Sequence, residues 1–70
     1  MGKLPSRTGK QLLKILLANG FILDRVTGSH HILINKDGGR RITVPVHARS
    51  LPKGTLHEVL KQAGLSPEVL

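Results

Sequence analysis

The segment Gly28-Ser29-His30-His31 sets two imidazoles directly after a glycine and a hydroxyl, in a chain of 70 residues that carries a formal charge of +7. Histidine is the side chain type best suited to exchanging protons near neutrality. Glycine lets a backbone turn sharply or come close to a phosphate. Together these residues suggest acid/base chemistry on a polyanion. Cutting an RNA backbone needs a base to take the proton of the ribose 2′-hydroxyl and an acid to protonate the leaving oxygen, and a histidine can do either. One positioned general base contributes on the order of 10²–10⁴-fold, so cations must supply more by stabilising charge on the phosphorane. His30 is the first candidate for the catalyst. Ser29 could bond the phosphate, orient His30 or simply serve the turn; Gly28 could shape the turn, admit a phosphate or both. His31 is the second candidate, as a structural or RNA-positioning residue. Alternation groups His30 with Ile32 and Ile34, and His31 with Leu33. Both faces carry apolar residues, so periodicity leaves open which imidazole meets solvent.

The charge balance points to the partner. Eleven Lys and Arg against four acids imply a nucleic acid or an acidic protein. Phe21 is the single aromatic residue, so the stacking platforms that hold splayed bases are missing. Recognition must run through phosphates, backbone and shape, and weaken as salt rises. Lys10, Lys36, Arg40 and Arg41 are candidate RNA contacts. Lys53, with Gly54 and Thr55 at a helix start, forms a candidate phosphate site, because free N–H groups and the helix dipole favour an anion there. His47 and His57 share no HxH or HExxH spacing with the central pair, and the chain has no cysteine; no metal or cofactor is expected. No apolar leader and no run of about 18 apolar residues occur, so the expectation is a soluble cytoplasmic protein that does not enter a membrane.

These residues must be held by elements that the pattern marks out. From Thr8 to Ala18, Leu12, Leu13, Ile15, Leu16 and Leu17 fall at helical spacings opposite Lys10, Gln11 and Lys14. Ser6 or Thr8 can cap this helix, and Asn19-Gly20 ends it. Three strands are predicted, over Phe21–Val26, His30–Asn35 and Arg40–Val46, joined by turns at Thr27-Gly28 and Lys36–Gly39. Leu56, Val59, Leu60 and Ala63 mark a last helix that Gly64 stops. Its start is ambiguous: Thr55 and Glu58 have capping-box spacing, whereas Pro52 suits an earlier first turn. Ser66-Pro67-Glu68 could open one further turn. The expected fold is α+β, a single domain over residues 1–70 in the order α-β-β-β-α. Its three-stranded antiparallel sheet would carry both helices on one face, over a core of Leu12, Leu16, Phe21, Leu23, Ile42, Val44, Leu56 and Leu60.

The chain also resembles a known family, the HicA mRNA interferase toxins of type II toxin–antitoxin systems. Four segments carry the resemblance: Thr8-Gly9-Lys10 with Asn19-Gly20-Phe21, then Gly28-Ser29-His30-His31, then Arg41-Ile42-Thr43-Val44-Pro45-Val46-His47, then Lys53-Gly54-Thr55-Leu56 with Gln62-Ala63-Gly64-Leu65. The resemblance implies a double-stranded-RNA-binding-like fold. It implies an endoribonuclease that cuts mRNA and arrests growth until a HicB antitoxin binds it, and it makes His30 the catalytic residue. The alternative is a non-catalytic double-stranded-RNA-binding module of the same fold. Oligomeric state is left open.

Overall fold

The computed structural model describes residues 4–47 and 49–70; residues 1–3 of the expected domain, and Ala48, lie outside this description. The elements follow in the order α1 (Gly9–Ala18), β1 (Phe21–Thr27), β2 (His30–Asn35), β3 (Arg41–Pro45), α2 (Lys53–Ala63) and a closing 3-10 turn (Pro67–Val69). The strands form one antiparallel sheet in the order β1-β2-β3, with β2 in the middle.

Thr8 is the cap of α1. Its side chain accepts the Gln11 N–H at 3.1 Å while the Gln11 side chain accepts the Thr8 N–H at 2.9 Å, which satisfies two otherwise orphaned donors reciprocally. The helix α2 starts at Lys53 after Pro52 and has no side-chain cap, so the earlier of its two possible starts is the real one. Gly64 ends it with φ of 73°, a left-handed conformation that only glycine adopts cheaply.

Leu12 and Leu16 of α1 and Leu56, Val59 and Leu60 of α2 meet Phe21, Leu33, Ile42 and Val44 of the sheet, all buried. Each such side chain contributes about 1.5–3 kcal/mol by leaving water. Both helices thus cover one face, and among the described residues the other face has no second layer.

One expected core residue is displaced. Leu23 is 47% exposed, and Leu33, at 0%, takes its place. The two are cross-strand partners and share a face, but Leu23 stands on an outer strand while Leu33 stands on the central one, beneath the helices. Just after Leu23 the register slips, from Leu23↔Leu33 to Arg25↔Ile32. Asp24 is the extra residue of this bulge, which bends the strand away from a regular ladder. The first hairpin also differs from expectation: Thr27 pairs with His30, so the turn is Gly28-Ser29.

Candidate active site

A two-residue loop between paired Thr27 and His30 requires an unusual backbone at its first position. Gly28 supplies it with φ of 59°, the arrangement of a type II′ turn, in which glycine comes first. A Cβ at Gly28 would meet nothing within 4 Å; glycine serves the backbone conformation there, and the space before it is open. Ser29 is half-buried, and its carbonyl accepts the Val46 N–H at 2.7 Å, tying the turn to the end of β3.

This turn makes His30 the first residue of β2, and the register determines its face. Thr27, His30 and Pro45 lie side by side across the three strands, as do Val26, His31 and Val44. Because Val44 and Leu33 are buried under the helices, His31 shares their side and His30 takes the open one. His30 is accordingly exposed and His31 half-buried. The His31 Nδ1 atom is buried without a hydrogen-bond partner. The question that alternation left open is answered by which side the helices cover.

The candidate cations distribute unequally around His30. Arg41 pairs with Ile34, at the far end of the sheet from the His30–Pro45 pair, about 13 Å along the strand at the usual rise per residue. Its guanidinium lies 3.1 Å from Asp24, which is also 3.8 Å from Arg25. Arg40 donates to the Gln62 carbonyl at 2.9 Å, closing the C-terminus of α2, where a cation is favoured. The Lys53 ammonium donates to the Leu4 carbonyl. Lys10 and Lys36 are exposed, and Lys36 follows β2 at the far end of the sheet.

Two further arginines lie outside the sequence-derived set. Arg25 is opposite Ile32 and so shares the open face with His30, two residues along. Its signal was present, since it alternates with Thr27, but the bulge at Asp24 interrupts the pattern before it. Arg49 lines a cleft of about 710 Å³ at the end of β3, together with Pro45, His47, Ser50, Leu51 and Thr55. Nothing periodic marks that segment in the sequence. Among the described residues no three His, Asp or Glu side chains come together as a metal site would require. No helix among them is long and apolar enough to cross a membrane.

No curated protein matches the chain. A family model, described as HicA toxin of bacterial toxin–antitoxin, matches residues 9–65. That span runs from the first residue of α1, through the Gly28-Ser29 turn and all three strands, to the residue after Gly64. By that match, the chain belongs to the HicA toxin family of bacterial toxin–antitoxin systems.

Proposed function

We infer that this toxin is an endoribonuclease that cuts mRNA, with His30 as the base that takes the 2′-hydroxyl proton. The observation that carries this reading is the position of His30: exposed, first in the central strand, directly after an open glycine turn, on the face without helices. An RNA strand laid on that face brings a phosphate toward Gly28 and its ribose toward the imidazole. Ser29 supports the site by holding the turn to Val46, and His31, half-buried on the other face of β2, supports it from the helix side. Arg25, on the open face and only loosely paired with Asp24 at 3.8 Å, and Arg49 at the cleft supply cations to the phosphates. Lys36 meets phosphates farther along the strand, and Lys10, exposed on α1, adds to the attraction from the side of the domain. Arg40, Arg41 and Lys53 have internal partners and contribute mainly to the surrounding field.

The partner that silences it is a HicB-like antitoxin covering the same face. Ile22, Ile32 and Ile34 lie there by alternation beside the histidine, so a protein that seats on them excludes RNA.

The test is His30→Ala, measured as cleavage of purified RNA, RNA affinity and growth arrest. Cleavage and arrest should vanish while affinity is retained. A variant that still cuts at the wild-type rate removes His30 from the mechanism. A wild type that binds RNA duplexes and never cuts them would show a binding module instead.

A further inference from the structure

We propose that His47 is the second catalytic residue, the general acid that protonates the leaving 5′-oxygen; this rests on His30 as the base. The β2–β3 ladder ends at the His30–Pro45 pair and β3 at Pro45, and one backbone bond follows it, the Val46 N–H donating to the Ser29 carbonyl at 2.7 Å. Pro45 is on the side that carries His30 and Val46 packs inward against the core, so the same alternation carried two residues past the end of β3 assigns His47 to the side of His30. Residues set diagonally by two across an antiparallel pair lie about 7–8 Å apart. Two imidazoles at that spacing can straddle one phosphodiester, one reaching the 2′-hydroxyl and the other the 5′-oxygen.

The cleft supports the same assignment. His47 and Pro45 line it with Arg49, Ser50 and Thr55. The cleft, of about 710 Å³, is open to solvent and so accessible to a nucleotide next to the scissile bond. Arg49 brings a permanent cation to the charge that develops on the phosphorane. His47 is exposed and accessible to substrate. His30 lies beside the cleft, paired with its wall residue Pro45, whereas His31 is turned toward the helices and His57 lies on α2.

The reaction is then a paired proton transfer. His30 removes the 2′-hydroxyl proton as the 2′-oxygen forms its bond to phosphorus. The bond from phosphorus to the 5′-oxygen breaks, its electron pair goes to that oxygen, and protonated His47 supplies the proton. One product ends in a 2′,3′-cyclic phosphate and the other begins with a 5′-hydroxyl. His30 finishes protonated and His47 neutral, and exchange with water restores both.

The experiment compares single-turnover cleavage of an RNA oligonucleotide at the position the wild type cuts with the same oligonucleotide carrying a 5′-bridging sulfur there. A thiolate leaves without a proton, so the acid becomes dispensable. His47→Ala and His47→Gln should lose roughly 10²–10⁴-fold on the oxygen substrate and stay within a few-fold of wild type on the sulfur substrate. Their pH–rate profiles should lack the fall at high pH that an acid imposes. Equal loss on both substrates, or no loss on either, overturns the proposal. His30→Ala should remain slow on both; wild-type cleavage by that variant would refute the base instead, a result separate from either outcome for His47.

Discussion

Gly9 and Pro45 meet backbone to backbone: a Cβ on Gly9 would overlap the Pro45 carbonyl oxygen and stand 2.9 Å from the Val46 Cα. Gly9 is helical, with no unusual φ, so what glycine provides is room. The first turn of α1 therefore lies on the end of β3, beside the strand position that faces His30. Gly9→Ala should destabilise the fold by about 1–3 kcal/mol, the usual cost of overpacking. The Tm should fall by about 4–8 °C for each kcal/mol in a domain of this size. Calorimetry gives the shift. Cleavage measured well below the Tm should drop as well, because the strand end that carries Pro45 and leads to His47 must move.

Leu33 and Leu23 are paired across strands yet energetically unequal. Leu33→Ala empties a fully buried position and should cost about 2–5 kcal/mol. Leu23→Ala, at a position about half exposed, should cost about 1 kcal/mol or less. Urea unfolding of the two variants, analysed with a common slope, checks the ratio. Equal losses would place Leu23 in the core.

The unpartnered His31 Nδ1 is a liability to stability. A buried polar atom without a hydrogen bond costs about 1–3 kcal/mol, and an apolar side chain of similar volume has no such atom. His31→Leu should match or exceed the wild type in denaturant midpoint and keep RNA cleavage within a few-fold. Loss of cleavage in a variant that remains folded would show that this imidazole takes part in the reaction.

The logarithm of the affinity for a 2′-O-methyl RNA that cannot be cut should fall linearly with the logarithm of salt concentration. Arg25→Ala and Arg49→Ala should each flatten that slope, by about 0.7 for each phosphate of a single strand that is no longer neutralised. Arg40→Ala should leave the slope nearly unchanged and instead lower stability by about 0.3–1 kcal/mol, because its guanidinium is bound to the Gln62 carbonyl at the end of α2. Fluorescence anisotropy across a salt series separates the two classes.

Much of this molecule could be read from local pattern. The spacing of Leu56, Val59, Leu60 and Ala63 and the stop at Gly64 depend on contacts within a turn or two, so the sequence alone determined α2 apart from its start. The same holds for α1 and for three strands broken at glycines. The Gly28-Ser29-His30-His31 segment stood out as the candidate site because it sets a turn glycine, a hydroxyl and two imidazoles together in a basic chain. Only the tertiary structure decided which histidine faces solvent, since Ile32, Leu33 and Ile34 make both faces of β2 apolar and the choice depends on where two distant helices settle. It also decided that Leu23 stays at the rim, because an edge position and a bulge have no signature in composition. Arg40 is held by a carbonyl 22 residues away, and Arg49 and His47 line a cleft built from β3 and the start of α2. These are contacts between segments remote in the chain, and the hydrophobic periodicity that specifies each element carries no record of which polar groups the packed elements bring together.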